Sequence, residues 1–184
     1  MSRDFGKQLQ AHGSDPLLWR EQAIEMKIAA DALVPHYYLA IKERKPQRES
    51  QQRMFGFFHG YVILIGLAIE NALKGLRISE DPSLVTPEKV GKGILGRGGH
   101  GIREGLRRYV SLDAEEIDAV TRLEEFLVWA AKYPVPITVG TLENAETKVL
   151  RSHISTDPET LNRVLARLLD CYPSSASPYT GDLD

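Results

Sequence analysis

Apolar and polar positions along the chain alternate in blocks that are typical of helices, and one block stands out. Sixteen residues from Met54 to Ile69 carry no formal charge and are almost wholly apolar. Spanning a bilayer takes roughly 20 apolar residues, and this block is shorter and bounded by Arg53 and Glu70. A helix that is apolar on every face is one that other helices surround. The pattern therefore predicts the central helix of a bundle, from about residue 48 to about residue 77, and not a membrane span.

The remaining segments show helical periodicity between proline and glycine breaks. Ser14-Asp15-Pro16 predicts a helix start, because a capping side chain precedes proline at the first helical position. The segment Gly91–Gly101 is too rich in glycine for regular structure. Further helices are predicted to begin near His100, near residue 111 and at Asp157, and residues 137–156 are compatible with a short strand or a short helix. We therefore predict an all-α, up-and-down bundle of about four to five helices, with the glycine-rich loop between the second and third.

Composition favours one domain, which we place at residues 14–172 between a flexible N-terminus (1–13) and a disordered tail (173–184). With 184 residues, 42% of them hydrophobic, the chain can form one full-sized core. A net charge of −2 provides no global basic field, so contact with nucleic acid would need a local patch. The first ten residues lack the apolar run of a signal peptide, and Cys171 is the single cysteine. We therefore expect a cytoplasmic protein.

Sequence motifs of familiar enzymes are absent. The five histidines form neither His-Glu-x-x-His nor Glu-x-x-His pairs, and one cysteine cannot supply a zinc cluster. Gly-x-Ser-x-Gly is missing, and the glycine-rich loop lacks the Gly-Lys-Ser/Thr ending of a phosphate-binding P-loop. We expect no metal and no cofactor.

Two features suggest binding of an anion. Backbone N–H groups of a glycine-rich loop that leads into a helix start can hold a phosphate. His100, Arg103 and Arg107 then follow at spacings of three and four, which places them on one helix face. Arg108 extends this basic face, and the acidic Glu104 reduces its positive charge. The predicted set for phosphate, nucleotide or RNA binding is Lys92, Arg97, His100, Arg103 and Arg107. The alternative is a flexible loop followed by a solvated helix face.

The central helix ends in a polar group. Glu70 and Lys74 are four residues apart and so face each other on a helix, with Asn71 beside them. One interpretation is a surface ion pair where the helix leaves the core. The other is a carboxylate that meets a cation from another helix and forms part of a site.

Three short motifs carry a family resemblance. They are Glu70-Asn71-Ala72-Leu73-Lys74-Gly75-Leu76, then Gly99-His100-Gly101-Ile102, and the segment FLVWAAKYPVP at residues 126–136. Together they resemble the HEPN-type (higher eukaryote and prokaryote nucleotide-binding) helical domains of prokaryotes, over about residues 48–136. The resemblance implies a bundle of four or five helices, often dimeric, so we expect a homodimer without a membrane partner.

Many HEPN-type proteins are metal-independent ribonucleases marked by an Arg, four to six intervening residues and a His. Arg53 and His59 match by spacing but precede the Glu-Asn motif, and with fourteen arginines and five histidines about one such pair arises from composition alone. Position 101 is glycine where the family often has aspartate. The expectation is therefore a non-catalytic module that binds a nucleotide, RNA or a cognate protein, in a toxin–antitoxin or phage-defence context. The alternatives are a ribonuclease with a divergent Arg/His site, with Arg53, His59, Glu70 and His100 as candidates, and a purely structural oligomer.

Overall fold

The structure is a computed structural model that describes residues 4–43, 48–90, 95, 101–127 and 157–173. These residues form six α-helices: α1 (Phe5–Gly13), α2 (Pro16–Lys42), α3 (Arg48–Glu80), α4 (Ile102–Arg107), α5 (Ala114–Glu125) and α6 (Asp157–Asp170). A 3-10 turn at Pro82–Leu84 leads into the antiparallel strands β1 (Val85–Thr86) and β2 (Lys89–Val90). The prediction of an all-α chain is confirmed for these ranges. The glycine-rich loop apart from Leu95 and Gly101, the segment 137–156 and the tail from residue 174 lie outside them.

Helix boundaries follow the local chemistry of the sequence. Asp15 caps α2 by accepting from the backbone N–H of Leu17 at 2.9 Å, with Pro16 at the first helical position. Asp113 and Glu116 form a reciprocal capping box at the start of α5. The central helix extends to Glu80, about one turn beyond the predicted end.

Helix α3 is the centre of the bundle, as its uncharged and almost wholly apolar run predicts. It packs most extensively against α2 and also contacts α4, α5 and α6. Its buried side chains Tyr61, Ile65, Ile69 and Leu73 are in a single core with buried residues of the other helices. Each fully buried Leu or Ile side chain contributes about 1.5–3 kcal/mol relative to an exposed one. The core therefore lies along α3.

By length and composition, α3 also meets the criterion for a membrane span. Half of its most apolar 18-residue window is buried in the protein. Contacts with the other helices thus cover part of the apolar surface that this criterion detects.

Glycines in α3 mark close helix crossings at some positions only. A Cβ atom placed at Gly60 would lie 2.9 Å from Cδ1 of Leu33 in α2. At Gly66 it would lie 2.5 Å from Cδ1 of Leu127, two residues beyond the end of α5. At Gly56 nothing lies within 4 Å. The crossings at Gly60 and Gly66 are within one chain, and Gly56 faces open space.

The N-terminal segment, which we expected to be flexible, contains the helix α1. Asp4 caps this helix through the N–H of Lys7, and α1 packs against β1 and β2. The indole N–H of Trp19 donates to the Gly13 carbonyl at 2.8 Å, which ties the end of α1 to α2. The packing of α1 on β1 and β2 joins segments that are far apart in the sequence, and helical periodicity does not reveal such contacts.

Candidate phosphate-binding groove

An open groove with two arginines lies where α4 turns into α5. In the short helix α4, Ile102 and Leu106 are buried in the core, and this orientation leaves Arg107 and Arg108 exposed. The groove has a volume of about 490 Å³. Its lining residues are Arg107, Arg108, Tyr109, Val110, Ser111, Leu112 and Ile117.

Arg167 of α6 holds the turn between α4 and α5, which forms the groove, in place. One terminal nitrogen of Arg167, Nη1, donates to the carbonyl of Ser111 at 3.1 Å. The other, Nη2, contacts Oε2 of Glu116 at 2.6 Å, and the Glu116 side chain is only 5% exposed. The same Glu116 carboxylate accepts from the N–H of Asp113 in the capping box. A charged network with a buried anchor therefore fixes the backbone between α4 and α5.

The two arginines of the groove differ in how firmly they are paired. Arg108 makes two contacts with Glu80, 2.8 Å from Nη2 to Oε2 and 3.3 Å from Nε to Oε1. Arg107 reaches Glu104 only at 4.0 Å, and the two side chains are 58% and 87% exposed. An exposed pair of this kind contributes little, because water and salt screen it. Arg107 therefore presents the more available guanidinium group.

Tyr109 forms part of the wall between these arginines and the core. Burial, with the neighbouring Glu80 carboxylate as a second cause, raises the pKa of Tyr109 to about 12. The phenol is therefore protonated at neutral pH and adds no negative charge to the groove.

The predicted anion-binding residues are only partly in this groove. Arg107 lines it, whereas Arg103 does not, and the backbone N–H of Arg103 donates to Oε1 of Glu124 at 2.7 Å. Lys92, Arg97 and His100 lie outside the described residues. Tyr109 and Ser111 are not among the residues that the sequence predicts for the site. Their position in the sequence, between two adjacent arginines and the capping box of α5, is the one feature that could have indicated them.

The Arg53 and His59 side chains do not share a face of α3. They are six positions apart, which separates them by about 9 Å along the axis and about a third of a turn around it. Arg53 is exposed, whereas His59 is half-buried against the rings of Phe55, Phe58 and Phe126. Burial lowers the pKa of His59. Within one chain, these two residues therefore do not converge on a common point.

At the polar end of α3, the structure agrees in part with each of the two interpretations of Glu70 and Lys74. The Glu70 side chain is 4% exposed, and the Lys74 ammonium group lies 3.4 Å from its Oε2. Lys74 belongs to the same helix and its Nζ lies 6.0 Å from the centre of the Trp19 ring. Asn71 contacts Sδ of Met26 through Nδ2 at 3.3 Å. The carboxylate is thus buried, as the functional interpretation requires, but Lys74 is a partner from its own helix.

Within the described ranges, no group of three or more His, Cys, Asp or Glu side chains is placed to hold a metal ion. Comparisons of the chain with protein-family models, with curated proteins and with solved structures give no significant match.

Proposed function

We propose that this protein is a non-catalytic, HEPN-like binding module whose groove between α4 and α5 takes a phosphate group of RNA or of a nucleotide. The observation that carries the proposal is the Arg107–Arg108 pair on an open groove, with Arg107 only weakly paired within the chain. The HEPN-like fold and the toxin–antitoxin or phage-defence context come from the sequence resemblance. The all-α bundle is consistent with that fold.

Size and chemistry support a phosphate-bearing ligand. A volume of about 490 Å³ is within the range of small-molecule sites, roughly 300–1,000 Å³. Guanidinium groups bind phosphate oxygens through two parallel N–H donors, which a neutral groove cannot offer. Because the net charge of the chain is −2, binding should depend on this local pair and not on a general positive field.

Fluorescence anisotropy with a labelled single-stranded RNA tests the proposal. The double variant Arg107→Glu/Arg108→Glu should bind at least about tenfold more weakly, and its salt dependence should be shallower by about 0.7 log units for each phosphate that the variant no longer neutralises. The matched control is Lys7→Glu/Lys89→Glu, which changes the net charge equally at α1 and β2. Equal affinities of the wild type and the groove variant would refute the proposal, as would equal reductions in affinity in both double variants.

The same mixtures, incubated with EDTA and separated on a denaturing gel, address the catalytic alternative. Intact RNA supports a binding module. Metal-independent cleavage that disappears in His59→Ala would instead support the ribonuclease.

A further inference from the structure

The outer face of α2 carries a line of exposed positions with a regular spacing. Counted along the helix, their separations are three, four, three, four and three residues, which places them on one side. We call them the α2 stripe: Glu25, Ile28, Ala32, Pro35, Leu39 and Lys42. The opposite side of α2 packs on α3 and buries Ala23, Ala30 and Tyr37. That packing fixes the rotation of α2, so the stripe faces solvent.

The centre of the α2 stripe is apolar. Ile28 is 65% exposed and Leu39 is 53% exposed, although both are large hydrophobic residues. They are eleven positions apart, about 16 Å along the axis and nearly in line around it. Single exposed leucines are common on protein surfaces, but here Ala32 and Pro35 continue the apolar line between the two larger residues. Charged residues of the stripe occur only at its two ends.

The α2 stripe can pair with an antiparallel copy of itself, because each residue then faces a residue of complementary character. If a second copy lies antiparallel about a two-fold axis between Ala32 and Pro35, each Ile28 meets Leu39 of the other copy. Glu25 then meets Lys42 of the other copy at both ends of the contact. A parallel arrangement would instead place Glu25 against Glu25, which is repulsive. Among the described residues, neither Glu25 nor Lys42 has an ion-pair partner within the chain.

We propose that the α2 stripe is a homodimer interface on which a second copy of this chain docks antiparallel. Ala32 near the axis lets the two helices approach closely, while Ile28 and Leu39 cover each other on both sides. The contact is about 25 Å long, from Glu25 to Lys42. One helix from each copy is a small interface compared with the standard of about 1,600 Å², and small interfaces are typical of weak, transient association. This inference is independent of the α4–α5 groove and goes beyond the proposed function.

Cysteine cross-linking tests the antiparallel register. In a Cys171→Ser background, which removes the exposed native thiol, the variants Ile28→Cys and Leu39→Cys are prepared separately. A disulfide needs Cα atoms within about 7 Å. Oxidation should therefore cross-link an equimolar mixture of the two variants and leave each variant alone uncross-linked. Cross-linking of each variant with itself, or of neither sample, would overturn the proposed arrangement.

Sedimentation equilibrium from about 2 to about 200 μM tests the interface itself. Leu39→Asp should raise the dissociation constant of the dimer at least about tenfold. The control Phe5→Asp changes a residue that is 70% exposed on α1, away from the stripe, and should leave the dissociation constant unchanged. A protein that is monomeric at every concentration, or a dimer that tolerates Leu39→Asp, would overturn the proposal.

The end charges give a second, reciprocal test that does not alter the apolar centre. Glu25→Lys should weaken the dimer, because it places two lysines at each end of the contact. Adding Lys42→Glu restores opposite charges and should restore the dissociation constant. Failure of the second change to restore binding would count against the antiparallel arrangement.

Discussion

Arg122 and Asp157 form a buried ion pair that joins α5 to α6, and its removal gives a defined prediction for stability. Nη2 of Arg122 lies 2.6 Å from Oδ1 of Asp157, and Nε lies 3.0 Å from Oδ2, so the contact is bidentate. The side chains are 16% and 9% exposed. The variant Arg122→Met keeps much of the apolar stem of the side chain but removes the guanidinium group, which leaves the Asp157 carboxylate buried without it.

Breaking a buried pair by removing one partner costs about 3–5 kcal/mol. Because part of the Arg122 side chain reaches solvent, we expect the lower end, about 3 kcal/mol in the free energy of unfolding. For a chain of 184 residues, that decrease lowers Tm by about 6–12 °C. The exposed Arg108–Glu80 pair provides the contrast, since Glu80→Gln should cost less than about 1 kcal/mol.

Guanidinium unfolding followed by circular dichroism measures Arg122→Met, Glu80→Gln, Asp157→Asn and the double variant Arg122→Met/Asp157→Asn. The double variant has no unpaired charge, so it should be more stable than Arg122→Met alone by at least about 1 kcal/mol. The reasoning is refuted if Arg122→Met costs less than about 1 kcal/mol at an unchanged m value, or if Asp157→Asn adds its full cost to that of Arg122→Met.

Two further predictions concern α3. Because burial lowers the folded-state pKa of His59, unfolding takes up a proton as the pH falls below about 6.5, and stability is lost there. His59→Phe should flatten this decline in unfolding curves from about pH 7.5 to about pH 5, whereas His12→Gln, at an exposed position of α1, should not. Gly66→Ala should lower the free energy of unfolding by about 1–3 kcal/mol, because the new methyl group overlaps Leu127. Gly56→Ala, with nothing within 4 Å, should raise it by about 0.5–1 kcal/mol, and equal effects of the two alanines in thermal unfolding would contradict the packing argument.

Much of the helical framework follows from local sequence chemistry. Asp15 and Pro16 specify the start of α2, and the capping box of Asp113 and Glu116 specifies the start of α5. The uncharged run in α3 predicts a helix with packed neighbours, because only burial makes an apolar surface favourable on several faces. These signals act within a few residues, so they are visible without knowledge of the tertiary structure.

The candidate site was less predictable, because distant segments form it. Arg107 was selected from its position on a basic helix face, but the groove depends on Arg167, which is 56 residues from the carbonyl of Ser111 that it holds. Pairing across that distance leaves no periodic pattern in a single sequence. The burial of the Glu70 carboxylate likewise depends on neighbouring elements, and charge spacing alone could not distinguish it from a surface pair.

The hairpin of α2 and α3 also has a consequence for the kinetics of folding. These two helices are adjacent in sequence and form the most extensive helix pair, and the contacts nearest the turn between them, such as the stacked rings of His36 and Phe57, close short loops. The contact between Arg122 and Asp157 closes a loop of 35 residues, and Tyr172 donates to the Ala72 carbonyl across 100 residues. Contacts of low sequence separation generally form before contacts of high separation. The hairpin is therefore the expected folding nucleus, and the late docking of α6 sets how long the native state persists before it opens.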